Sequence, residues 1–98
     1  MDKTEKKAKR EAWKKAEREA ARENFPLPAE KLRALFDAVD VGLADAPCDH
    51  SRRIVEAWLS ERKLPATPVL HWLDGLGGFC DCEVLANAEQ AFEEALKP

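Results

Sequence analysis

What this chain lacks narrows its class before any motif is read. No apolar stretch approaches the ~20 residues needed to cross a bilayer, and the charged N-terminus holds no hydrophobic run that could serve as a secretory signal. The expectation is a soluble, cytoplasmic protein with no membrane partner. A glycine-rich phosphate loop, a serine-nucleophile motif and an internal repeat are all absent. Cysteine is scarce, with three in 98 residues. In a reducing compartment an odd count of three reads as metal ligands or small buried hydrophobes rather than as a disulfide framework.

Length and charge set the next limits. The segment 1–24 is almost purely Lys, Arg, Glu and Ala and carries nine basic against six acidic residues, while 25–98 carries seven against thirteen. We therefore divide the chain into a charged helical extension, 1–24, and one helical domain, 25–98. A core of that size supplies only ~3–5 kcal/mol, so a metal, a disulfide or a second subunit is a common supplement. The acidic body is a poor match for a phosphate backbone, which leaves the basic extension as the place where RNA or another acidic partner could bind.

Apolar spacing predicts an all-α fold: a small bundle of about four short helices with an exposed, charged N-terminal helix. The first helix has Asp2 and Glu5 in capping-box spacing, Glu5–Lys9 and Glu11–Lys15 as i, i+4 pairs, and Trp13 as the one large anchor on a thin apolar face. Phe25-Pro26-Leu27-Pro28 ends it. The second runs from about Pro28 to Leu43 on Leu32, Leu35, Phe36, Val39 and Leu43, with Gly42 and 44–47 breaking the pattern. A third, about Ser51 to Lys63, buries Ile54, Val55, Trp58 and Leu59. In the fourth, Thr67 is the expected cap and Pro68 the first position, and Gly77-Gly78 the stop. Its span, Pro68 to Leu76, contains no Lys or Arg, which argues against a DNA-reading recognition helix. Val84, Leu85, Ala88, Phe92 and Leu96 place a last helix at the C-terminus, with Asp81 as its possible cap, although the first of these residues would also suit a strand.

Every cysteine falls in one of two short runs, Cys48-Asp49-His50-Ser51 and Gly77-Gly78-Phe79-Cys80-Asp81-Cys82-Glu83. Cys48, His50, Cys80 and Cys82 together make a tetrahedral ligand set for zinc, each pair standing in a turn before a helix, where backbone N–H groups favour thiolate. The one-residue spacing within each pair is tighter than the two to four residues usual in zinc modules, so chelation requires a tight turn. His71, on the fourth helix, is the rival to His50. The metal-free alternative makes the three cysteines packing or redox-sensitive thiols. Cys48 with His50, or Cys80 with His50, could be written as a nucleophile and base, but nothing else of an active site accompanies them.

The chain resembles a small bacterial family, the domain of unknown function 2695. The resemblance rests on the lysine-rich lead-in, Leu35-Phe36-Asp37, Cys48-Asp49-His50, and above all the run from Gly77 through Cys80-Asp81-Cys82-Glu83-Val84-Leu85-Ala86-Asn87. It implies no activity, substrate or partner; that the four candidate ligands fall in its signature segments strengthens the metal reading. The expectation is a binding or interaction module with a closed structural zinc site of Cys48, His50, Cys80 and Cys82, and a protein partner. The alternative is a metal-free module that uses the basic N-terminal helix on protein or RNA. A small metalloenzyme ranks third and would need an open coordination position or a labile ligand.

Overall fold

The computed structural model describes residues 3–98, with side chains from Ala8 onward; the expected Asp2–Glu5 capping box and Glu5–Lys9 pair fall outside the described residues. Among the described residues the fold is all-α, with no strand. A long first helix, α1 (Lys3–Glu23), precedes α2 (Ala29–Asp45), α3 (Arg53–Glu61), α4 (Ala66–Gly75) and a C-terminal helix, α5 (residues 81–96). The last opens with Asp81–Glu83, widens to i→i+5 bonding over Val84–Ala88, and continues as Glu89–Leu96. Among the described residues no helix is long and apolar enough to cross a membrane.

The apolar periodicities become the core. Leu32, Leu35, Phe36 and Val39 of α2 meet Val55, Trp58 and Leu59 of α3, Val69 and Leu73 of α4, and Val84, Ala88 and Phe92 of α5. Burying each large aliphatic or aromatic side chain contributes ~1.5–3 kcal/mol before chain entropy is subtracted. At one end Phe25, Phe36, Trp72 and Phe92 form an aromatic cluster with ring centroids 5.2–6.4 Å apart. Phe25 lies in the proline-rich turn after α1, so that turn is anchored in the same core.

Three local expectations are corrected. Gly42 does not interrupt α2, which runs on to Asp45 and stops where Ala46, preceding Pro47, is extended (φ −147°, ψ 139°). Gly42 serves packing instead: a Cβ there would lie 2.6 Å from Ile54 Cδ1, so the Ile54 side chain rests against the bare α2 backbone and would have to shift for any larger residue. Thr67 does not cap α4, because Pro65 holds the cap position and Thr67 is already helical. Pro68 then falls third in the helix, where its missing N–H has no intrahelical acceptor to lose. The end of α4 follows expectation. Gly77 is left-handed (φ 81°), and Gly78 N–H donates 2.8 Å back to Leu73 O.

The extension α1 is held to the C-terminal end of α5 by arginine. Arg22 Nη1 donates 2.7 Å to Ala95 O, and Arg18 binds Glu94 Oε1 at 3.0 Å and Pro98 O at 3.1 Å. Cations thus sit where α5 exposes its last carbonyls and partial negative charge. Trp13 remains 64% exposed.

One surface is electrostatically overcrowded. Burial, then Glu93, Asp37 and Asp40, push the Glu89 carboxyl above its ordinary value, with Arg33 offsetting only part. A raised folded-state value means protonation favours the native state, so this stabilisation is complete below the unfolded carboxyl's range and is lost as pH rises through the raised value. Glu89→Gln should therefore stabilise the protein at pH 7 by roughly 0.2–0.5 kcal/mol, the size of an i, i+4 like-charge penalty. The gain should vanish near pH 4 in urea titrations; equal midpoints at pH 7 would remove this reading.

Candidate metal centre

The two cysteine runs meet because of Asp81. Its side chain is fully buried, and its carboxylate accepts from Ile54 N–H (Oδ2, 3.1 Å) and Val55 N–H (Oδ1, 3.3 Å). These are among the free donors of α3's first turn. The Asp81 N–H in turn donates 2.9 Å to Ser51 O. Asp81, expected to cap its own helix, instead caps α3 from 27 residues away, and so fixes the start of α5 against the loop that carries Cys48.

Neighbouring contacts lock both turns. Asp49 Oδ1 accepts from Ser51 N–H at 3.0 Å and from Ser51 Oγ, which also depresses the Asp49 carboxyl. Arg52 Nη1 reaches Asp74 Oδ1 at 2.7 Å and Leu70 O at 3.2 Å, bracing the end of α4 before the second cysteine turn. Asn87 Nδ2, on the widened turn of α5, donates 2.9 Å to Gly77 O. Gly78 packs tightly here: a Cβ would meet Val84 Cγ2 at 3.2 Å and the Val84 Cα at 3.4 Å, so a larger residue would need Val84 to give by a few tenths of an ångström.

Within this frame the sulfurs of Cys48, Cys80 and Cys82 all lie within 4.8 Å of one another. Cys80 and Cys82 are closest, at 3.2 Å, and Cys80 Sγ also faces Glu83 Oε1 at 3.4 Å. The cluster is graded in access, with Cys80 buried at 5% exposure, Cys48 half-buried and Cys82 exposed. Backbone N–H groups of Cys82 and then His50 pull the Cys48 thiol below its ordinary value. The Glu83 N–H pulls Cys80 the same way, but burial together with the Cys82, Glu83 and Cys48 side chains outweighs it and pushes that thiol up to about 12. Three thiols this close cannot ionise together without a counter-charge, and a divalent cation supplies one.

Tetrahedral bonds of ~2.3 Å put sulfurs ~3.8 Å apart, so this cluster fits a thiolate-bound ion with shifts of about 1 Å or less. The expected fourth ligand is placed differently. His50 is exposed, and its ring is not part of the three-sulfur cluster. Its backbone, however, is left-handed (φ 69°), which costs about 1–2 kcal/mol outside glycine and is the tight turn that one-residue spacing demanded. His71 is exposed on α4, beside the aromatic end of the core, and is likewise outside the cluster.

A family profile described as a protein of unknown function (DUF2695) matches residues 35–87, a span that includes all three cysteines. The chain belongs to this family. Curated relatives include uncharacterised proteins Mb2294 of Mycobacterium bovis and Rv2271 of Mycobacterium tuberculosis. Each is 34% identical over 88 residues, covering 90% of this chain and 89% of the relative. No solved structure matches this chain. For this member of DUF2695, the buried cap gives a direct expectation. Asp81→Ala should cost about 2–3 kcal/mol by stranding the α3 donors, and Asp81→Asn less, because it keeps an acceptor. Urea unfolding would decide this, since an unshifted midpoint for Asp81→Ala is incompatible with the capping role.

Proposed function

We propose that Cys48, Cys80 and Cys82 bind one zinc ion as thiolates, that His50 completes the tetrahedron, and that the ion staples a small cytoplasmic interaction module. The convergence of three sulfurs from two separate turns is the observation that carries this reading. His50 is the nearest imidazole in sequence, two residues from Cys48 on the same turn, and its backbone already faces the Cys48 sulfur. Zinc suits a set of soft thiolates plus imidazole in a tetrahedron, and four protein ligands make a closed, structural site rather than one with an open position for chemistry. Glu83, whose carboxylate oxygen lies 3.4 Å from Cys80 Sγ, is the side chain placed to orient a ligand.

The partner is a protein, met by a surface other than the stapled turns. The exposed Trp13 on α1 favours that helix as the contact, since an aromatic anchor among charged side chains is a common centre of binding energy. An RNA partner through the same basic helix is the second reading, supported by the excess of Lys and Arg in 1–24.

Cobalt substitution tests the site. The expected result is one metal per chain by native mass spectrometry, with a tetrahedral cobalt spectrum that includes sulfur-to-metal charge transfer. Cys48→Ser, Cys80→Ser and Cys82→Ser should each abolish tight binding, and His50→Ala should weaken it and alter the spectrum. A cobalt complex indifferent to Cys80→Ser, or one that is octahedral, would exclude the assignment; one unchanged by His50→Ala would exclude His50 alone.

A further inference from the structure

The three sulfurs are unequal in access and in the ring each pair would close, and that inequality has a chemical consequence. We infer that Cys48 and Cys82 form a two-electron redox pair: a peroxide-class oxidant joins them in a disulfide and leaves Cys80 reduced, so the cluster loses two of its three thiolates under oxidation. The inference deepens the metal reading by assigning the site a mode of release.

Geometry selects the pair. All three sulfurs lie within 4.8 Å of one another, so each pairing is within reach of a small movement. Cys80–Cys82 is the shortest contact, at 3.2 Å, yet its ring would close over one residue at a helix start, where Cys80 is extended (φ −142°, ψ 167°) and Cys82 is helical. A bridge there is badly strained, and strain makes a disulfide easy to reduce. Cys48–Cys80 would need an oxidant to reach, or a partner sulfur to approach, a thiol that is only 5% exposed. Cys82 is exposed and Cys48 half-exposed, and they are separated by 33 residues, so their ring carries no short-loop strain.

The steps balance. The Cys82 sulfur attacks one peroxide oxygen and the O–O bond breaks, giving a sulfenic acid and one water, the proton coming from the thiol in the stripped protein and from solvent where the metal holds the sulfur as thiolate. The Cys48 sulfur then attacks the Cys82 sulfur; the S–S bond forms, the S–O bond breaks, and hydroxide leaves as water with a second proton, from the Cys48 thiol or, in the loaded protein, from solvent. Two sulfurs are oxidised by one electron each and one peroxide is reduced to two waters. Cys80 and His50 alone are a weak ligand pair for zinc, so one metal ion should leave for each disulfide formed. A thiol reductant reverses the step.

Hydrogen peroxide on reduced full-length protein is the test, performed on both metal-loaded and chelator-stripped samples, with free thiols trapped by alkylation and peptides mapped by mass spectrometry. The expected product in both samples has lost two hydrogen masses, joins the Cys48 and Cys82 peptides, and carries an alkylated Cys80. Cys80→Ser should still form the bridge and Cys48→Ser should not. In the loaded sample a chromogenic chelator should report one metal released per bridge. Cys80 found in the dominant disulfide, or Cys82 carried on to sulfinate without a bridge, would overturn the proposal. A protein that never carries metal yet forms the Cys48–Cys82 bridge would remove the zinc reading and leave the redox pair standing.

Discussion

A buried carboxylate at the start of another helix holds this protein together. Asp81 has no exposed surface and is neutralised by two backbone N–H donors and the positive end of α3, rather than by a cationic side chain. Through it α5 cannot shift along α3 without uncovering donors that have no other partner. The Asp81 N–H to Ser51 O bond ties the same point to the Cys48 loop. The nearness of the three sulfurs is therefore a property of the hydrogen-bonded frame, one on which a metal can act rather than one that a metal must create.

That frame is local, and the core beneath it is small. The buried cluster of α2, α3, α4 and α5 is contiguous, but in a body of about 74 residues such a core leaves only a few kcal/mol of margin. The cysteine turns lie at the edge of that core, where Cys80 is buried, Cys48 half-buried and Cys82 exposed. A metal bound as proposed would join the residues before α3 to the first turn of α5 across both intervening helices. Its contribution would add to the frame by constraining the unfolded chain, as any closure of a long loop does. The other end of the molecule is secured differently, by the aromatic cluster and by the arginines of α1 on the last carbonyls of α5.

Much of this was legible in the residues, with failures that share a cause. Leu32, Leu35, Phe36 and Val39, or Val55, Trp58 and Leu59, announce buried stripes because helical periodicity is a one-dimensional signal. Gly42, Thr67 and Asp81 depart from their local sequence patterns because each answers to a partner distant in sequence or to a local competitor. Ile54 explains Gly42, Pro65 displaces Thr67, and the first turn of α3 claims Asp81. No spacing rule discloses such pairings. The same holds for Arg52 with Asp74 and Asn87 with Gly77, which no motif marked and which brace the turns around the cysteines. Proximity of Cys48, Cys80 and Cys82 followed from ligand chemistry alone, whereas the ring of His50 stands apart from them because a left-handed turn sets only where its backbone goes.

A metal held by the two turns should stabilise the fold. Thermal unfolding followed by circular dichroism, on protein purified without chelator and again after exhaustive chelation under reducing conditions, addresses it directly. The account requires a fall of about 10 °C or more in the midpoint on chelation, since a few kcal/mol moves a domain of this size by that much, and recovery on adding one equivalent of zinc. Superimposable curves before and after chelation, for protein shown to start with metal, would contradict it.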